Sequence, residues 1–393
     1  MIDFLKEARN IEAEIIKTRR EIHQRPELAY KEKATAKLIA DKLRTLGLEV
    51  RTGIGGTGVL GTLKGGRAGK VVGLRADMDA LPVEEMAEVD FRSKKKGVMH
   101  ACGHDTHVAM LLGTARLLAK HKREVAGTVK FFFQPAEEHG GMGGAKPMIQ
   151  DGVMENPRVD YVFGLHIDGD LESGVLALRG GPAMAAPDTF EITITGRGGH
   201  GAYPHNTIDP IYVAAQLLVA LQGISGRMID PVQPIVISVG SIHSGTKENI
   251  IPDQAILHGT IRTVDEATRK KAKSKVTEVA KGVCRAFSAK AEVKFEKDAY
   301  PVLVNDERVT EKAKKILEKL PGARVKLREL QLGGEDFSRF LHEAPGTFYF
   351  LGTKNPGKGC IHPNHSPRFK VDEEVLKLGS ASLAQLAMEF TNP

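Results

Sequence analysis

Four apolar, β-rich runs in this chain each stop at a cluster of acidic or imidazole side chains, and this recurrence constrains the fold more than any other feature. In "KVVGLRADMDALP" a strand reaches about Ala76 and meets Asp77 and Asp79. "GTVKFFFQPAEEHGG" carries a strand from Thr128 to Gln134, then Glu137 and Glu138. "VDYVFGLHID" ends a strand near Leu165, with His166 next. "GTFYFLGT" forms a strand near 347–352, and His362 and His365 follow soon after. Helical periodicity over 34–46, 106–121 and 308–320 separates the strands, and the N-terminal stretch reads as an amphipathic helix. Such alternation predicts an α/β fold whose sheet is mixed and mostly parallel. Ligands of open α/β sheets bind beyond the carboxyl ends of strands. The polar clusters fall at those ends.

The middle of the chain reads differently. "DTFEITITG" alternates like a strand with one exposed face, and a Gly/His loop and a helical stretch over 208–224 follow. "QPIVISVGSIH" and "AILHGTIRT" are two further strands, and the helix "EATRKKAKSKVTEVAKGVCRAF" precedes the strand "KAEVKFEKD". The order β-α-β-β-α-β is the ferredoxin-like α+β plan. At 393 residues the chain exceeds the usual size of one core. The expected division is a domain inserted over 187–296 and a discontinuous catalytic domain of 1–186 and 297–393.

Charge and cysteine content exclude several classes. Net charge is +7, but the dense basic clusters are only "RSKKKG" at 92–97 and "RKKAKSK" at 269–275. Neither interleaves aromatic residues as a stacking platform for nucleic acid would. The apolar run "IYVAAQLLVALQGI" is too short to span a bilayer, and the N-terminus lacks the apolar core of a signal peptide. Three cysteines, an odd count without a secretory signal, point to a reducing cytoplasmic compartment rather than a disulfide framework.

Chemistry concentrates in "MHACGHDTHVAM", residues 99–110. A thiolate at Cys102 and an imidazole at His104 can face one ion from an extended loop. With Glu138, His166 and His362 they form a mixed S/N/O set suited to zinc, or to manganese or cobalt. Each has a plainer explanation alone: a packed thiol, a satisfied structural histidine, a solvated acidic pair. Convergence on one sheet edge favours the metal. Glu137 and Glu138 leave the backbone in different directions, so one carboxylate suits the ion and the other stays available as a base. A metal brings the pKa of its water to about 7, within reach of such a base. Asp105 or Thr106 is the expected N-cap of the following helix, Asp105 alternatively a partner of a ligand histidine, and His107 a structural residue. In "GRGGHGAYPHN" glycines flank His200, and the residues alone favour a long hairpin or strand-to-helix loop. Asn249 in "NIIPD" and Arg262 in "HGTIRT" are weak signals singly.

Taken together and in order, "GLRADMDALPV", "MHACGHDTHVAMLLG", "FFFQPAEE", "GLHI", "GRGGHGAYPH", "NIIPD" and "HPNHSPRF" make a specific pattern. The chain closely resembles the di-metal aminoacylase/carboxypeptidase family over nearly its whole length. The match is to the amidohydrolase branch with hippurate hydrolases, archaeal carboxypeptidases and auxin–amino acid conjugate hydrolases. The resemblance implies a catalytic domain on a mixed α/β sheet and an inserted lid that usually dimerises. It implies two divalent ions, zinc first, held by Cys102, His104, Glu138, His166 and His362, with Glu137 as general base. It implies that His200 stabilises the oxyanion, often in a neighbouring subunit's site. Relatives outside the branch carry an H-x-D pair where this chain has Asp77-Met78-Asp79, so the first metal's ligands differ here.

The resulting expectation is a cytoplasmic metallo-hydrolase cleaving the amide bond of an N-acyl amino acid or short peptide. It is expected as a homodimer through the lid, with a tetramer as the alternative. Arg262, with Asn249 beside it, is the expected anchor of the substrate carboxylate, against the alternative that Arg262 pairs with Asp265 or Glu266. The rival functions are an amidase using Cys102 as nucleophile and a non-catalytic binder of acyl amino acids on the same fold.

Overall fold

An eight-stranded mixed sheet, built from strands of both ends of the chain, forms the centre of the larger of two units in the computed structural model, which describes residues 2–393. Its order is Glu49–Ile54, Gly58–Lys64, Ala126–Gln134, Arg67–Asp77, Tyr161–Glu172, Gly346–Lys354, Val175–Leu178 and Arg324–Leu327. The Arg67–Asp77 strand runs parallel to both of its neighbours, and Tyr161–Glu172 is parallel to Gly346–Lys354. These central strands read as near-continuous apolar runs because helices cover the sheet, as parallel sheets require. Helices Glu12–His23, His104–Lys120 and Leu376–Thr391 pack on one another, and their apolar stripes join the strands in one core with Val72, Leu74, Phe131, Phe133, Phe163 and Leu351.

Register then fixes what meets. Asp77 lies opposite Gln134, Arg75 opposite Gly164, and His166 opposite Phe350. Two residues beyond Arg75 and Gly164, Asp77 and His166 stand at the same level. The segment with Glu137 and Glu138 begins just past Gln134.

Three local expectations need correction. The strand expected to end near Leu165 continues to Glu172, because the Gly346–Lys354 strand keeps pairing with it through Asp168. His166 therefore stands within a strand. The helix expected from 106 begins at His104, and its N-cap is Gly103, not Asp105 or Thr106. The N-terminal stretch is two helices, Phe4–Asn10 and Glu12–His23.

The chain divides into two units: one runs to Gly181 and resumes over Val304–Glu329 and Asp336–Pro393, the other is Pro182–Leu303 with Leu330–Glu335. The second unit has a four-stranded antiparallel sheet in the order Ile235–Ser244, Gln254–Thr263, Ala186–Thr195, Lys290–Phe295. Helices Pro210–Arg227 and Glu266–Ala286 bury Val213, Leu217, Leu221, Ala272 and Val276 against Phe190, Ile192, Leu257 and Ile261. This is the ferredoxin-like arrangement. Asp209 caps the first helix by accepting from Ile211 and Tyr212 N–H, with Pro210 at its first position, and Asp265 caps the second by accepting from Thr268 N–H. No helix among the described residues is long and apolar enough to cross a membrane.

Candidate metal centre

Cys102 and His104 flank a glycine that the turn demands. Gly103 sits at φ +87°, and a Cβ there would lie 2.2 Å from Ile167 Cδ1. The turn delivers His104 to the first position of a buried helix. Asp105, one residue on, faces away from the centre. Its Oδ2 lies 2.7 Å from Arg19 Nε in an ion pair and hydrogen-bonds His23 Nδ1 at 2.8 Å, which fixes the helix start on Glu12–His23. Burial opposes its ionisation, but Arg19 and His23 hold its carboxyl far below the usual range.

Asp79 organises the centre. Its Oδ1 lies 3.1 Å from His104 Nδ1, and its Oδ2 accepts from Glu138 N–H at 2.8 Å. His104 Nδ1–H is thereby spent on Asp79 and Nε2 points inward. His104 Nε2 is buried without a hydrogen-bond partner, and Glu138 Oε1 beside it meets only the His365 imidazole at 3.2 Å. Such an orphaned nitrogen in a packed interior calls for a ligand. Burial opposes charge on His104, yet Asp77, Asp79 and Glu138 outweigh it and push its pKa up to about 10. Burial and the acids Glu138, Glu137 and Asp77 push the Cys102 thiol up as well. A thiol and an imidazole set among several carboxylates, with little positive charge to balance them, fit a divalent cation.

Asp77 and His107 lock each other. Asp77 Oδ1 lies 2.5 Å from His107 Nδ1, while His107 Nε2 accepts from Ile167 N–H at 2.9 Å. Both ring nitrogens of His107 are thus engaged, in keeping with a structural role. Behind Asp77, the buried Arg75 donates to Asp77 Oδ2 at 2.6 Å, to Asp336 Oδ1 at 3.0 Å and to Gln134 Oε1 at 2.9 Å. Asp336 also accepts from Gly144 and Ala145 N–H.

Around Cys102 the structure departs from the expected ligand set. Cys102 Sγ lies 3.4 Å from His166 Nε2 and 3.3 Å from His365 Nε2, and His365 Nε2 stands 3.2 Å from Glu138 Oε1. His365, not His362, comes to the centre. Among the described residues no hydrogen bond or ion pair joins the His362 side chain to Cys102, His104, Glu138 or His166. The two histidines are three residues apart in an irregular turn, and only the turn's shape decides between them. Asp77, His104, His107 and His166 can bring ligand atoms within 4.8 Å of one another, and so can Cys102, His104 and Glu138. The two groups share His104.

Glu137 is buried beside this cluster. Ala136 before it takes φ +54°, rare for a residue with a Cβ, and the fully buried Glu32 accepts Ala136 N–H at 2.9 Å. Glu32 also accepts from the Thr57 hydroxyl at 2.5 Å. It thus anchors the turn that sends Glu137 and Glu138 in different directions. Asp79, Arg75, Glu32 and His365 join the site beyond the residues expected from the sequence. The sequence signals for three of them are the second acid of "ADMD", the arginine before it, and the second histidine of "HPNH"; Glu32 carries none.

The remaining expected residues lie in the second unit. His200 is exposed and pairs with Ile250 in a two-residue ladder, its Nδ1 accepting from Ala202 N–H at 3.0 Å. Gly201 N–H donates to Asn249 O at 2.8 Å, so His200 and Asn249 are neighbours. Arg262 is half-buried in the Gln254–Thr263 strand, and burial lowers its pKa. The alternative pairing of Arg262 does not occur: Asp265 caps the next helix and Glu266 pairs with Arg269. Among the described residues no carboxylate forms an ion pair with Arg262.

Residues 73–389 match peptidase family M20/M25/M40. The chain belongs to that family. It is 56% identical over 394 residues to thermostable carboxypeptidase 2 of Saccharolobus solfataricus, covering 100% of this chain and 99% of that protein. It is 38% identical to the hippurate hydrolase of Campylobacter jejuni, covering 99% of this chain and 100% of that protein. It superposes on the Bacillus subtilis YXEP protein, described as a dinuclear metal binding peptidase of the M20 family, with a TM-score of 0.85 and 35% identity over 98% of this chain and 99% of that one. As an M20 protein the chain is a metal-dependent enzyme acting on amide bonds. Its Cys102, His104 and Glu138 group, with His166 and His365 against the Cys102 sulfur, suits divalent ions.

Proposed function

We propose that the chain is a zinc-dependent hydrolase of N-acyl amino acids and short peptides, with manganese or cobalt able to replace zinc. One observation carries this reading: the buried, unpartnered His104 Nε2 stands with Glu138, Cys102, His166 and His365 in a sulfur–nitrogen–oxygen set, close enough to the Glu137 carboxylate for that charge to act on Cys102. The ions supply Lewis-acid activation of water and of the amide carbonyl. Glu137 takes the proton of the attacking water and passes it to the leaving amine. Asp79 engages His104 Nδ1, which leaves Nε2 as the nitrogen that would hold an ion. In the homodimer, His200 of a second copy is the donor to the oxygen on which negative charge develops. The Cys102 nucleophile is disfavoured, because burial and nearby carboxylates raise its thiol pKa, the opposite of an activated thiolate.

We also propose a cytoplasmic homodimer formed through the second unit. The edge strand Ile235–Ser244 exposes Val236 and Ile242, and the helix Pro210–Arg227 exposes Ile211, Tyr212 and Val219. An open apolar edge of this kind supports pairing with a second copy. The three cysteines are buried and free, in keeping with a reducing compartment.

In this reading Arg262 grips the substrate carboxylate with its planar fork, Asn249 assisting. Arg262→Ala is expected to lose on the order of 2–4 kcal/mol in kcat/KM for an N-acyl amino acid. The loss should largely vanish for the matching substrate whose carboxylate is an amide. The ratio of the two kcat/KM values in wild type and variant is the test. An unchanged ratio removes Arg262 as the anchor.

A further inference from the structure

His365 reaches Cys102 and Glu138 through an uncommon backbone shape. Its φ is +68°, a left-handed conformation that a residue with a side chain seldom adopts. Such conformations persist where the surroundings over-determine them. His365 N–H donates to Ala101 O at 2.8 Å. The adjacent Asn364 does more. Its Nδ2 donates to Cys102 O at 2.9 Å, and its Oδ1 accepts from Gly169 N–H at 2.9 Å. Nδ2 also lies 4.0 Å from Cys102 Sγ. One amide therefore ties together the turn carrying His365, the loop carrying Cys102 and the strand carrying His166. Position 169 is fitted to this clasp: a Cβ there would lie 3.0 Å from His362 O and from the Phe369 ring, and 3.3 Å from Asn364 Oδ1.

We propose that Asn364 is a positioning residue of the metal centre, holding the Cys102 carbonyl and the Gly169 amide so that the Cys102 sulfur and the His365 imidazole meet one ion. The proposal rests on Cys102 and His365 being metal ligands. The clasp needs a donor and an acceptor on one short planar group, which asparagine provides. Aspartate of the same size offers only acceptors. Alanine offers neither.

The test is a Co(II) titration of the metal-stripped full chain, followed by thiolate-to-cobalt absorption, for wild type, Asn364→Ala and Asn364→Asp. Melting of each metal-free protein is recorded alongside. Wild type should take up two ions. Both variants should bind the ion at the sulfur roughly 10–100-fold more weakly, the range typical of outer-sphere partners, with a diminished sulfur–cobalt band. Asn364→Asp, which keeps the Gly169 contact and loses the donor, should not restore affinity. If Asn364→Ala fails to fold, the isosteric Asn364→Asp carries the measurement. Wild-type affinity and spectrum in the folded variants would overturn the proposal, as would a lowered metal-free melting temperature with unchanged affinity, the mark of a purely structural role. A wild-type protein that bound no cobalt would instead overturn the metal reading on which the proposal depends.

Discussion

Glu137→Gln is expected to retain both metal ions and to lose turnover by roughly a hundredfold to ten-thousandfold, the usual range for a general base. The substitution keeps size and hydrogen-bonding shape and removes only the ability to accept a proton. The turn around it should hold, because Glu32 clamps Ala136 N–H and Asp79 clamps Glu138 N–H. Glu138→Gln should behave in the opposite way. Its Oε1 faces His365 and lies 4.0 Å from His104 Nε2, so the loss should appear first in metal affinity. Metal content and kcat measured on both variants separate the roles. Loss of metal in Glu137→Gln, with metal and activity intact in Glu138→Gln, would reverse the assignment.

His365→Ala and His362→Ala form the second large contrast. Removing a direct ligand should weaken metal binding by more than the roughly 10–100-fold of an outer-sphere partner, and activity should fall with it. His362→Ala should leave metal content near that of wild type. Metal loss in His362→Ala alone would restore the histidine first expected from the sequence.

Much of this centre is legible in the sequence because strand chemistry and site chemistry coincide. Apolar runs such as "VKFFF" announce buried strands, and a parallel sheet must carry their polar ends to one edge, so Asp77, Glu137 and Glu138 converge without any knowledge of side-chain geometry, and His166 joins them from within its longer strand. The choice of His365 is not legible. Periodicity says nothing within an irregular turn, and the deciding facts are a positive φ and a clasp from Asn364. Asp79, Arg75 and Glu32 escape for a related reason. Their work is to hold backbone amides and other side chains, and those partners lie as far apart in sequence as Arg75 and Asp336. The extent of the strand beyond Leu165 is likewise decided by its neighbour, since Gly346–Lys354 continues to pair with it.

In the proposed mechanism, amide hydrolysis depends on divalent ions held by Cys102, His104, Glu138, His166 and His365. The direct measurement is to strip the purified protein exhaustively, verify its metal content, and follow hydrolysis of N-acetyl and N-benzoyl amino acids and dipeptides before and after adding zinc, manganese or cobalt. Turnover should vanish in the stripped protein and return with the ions. Full turnover in protein verified to be free of metal would contradict the claim and point to the Cys102 thiol instead.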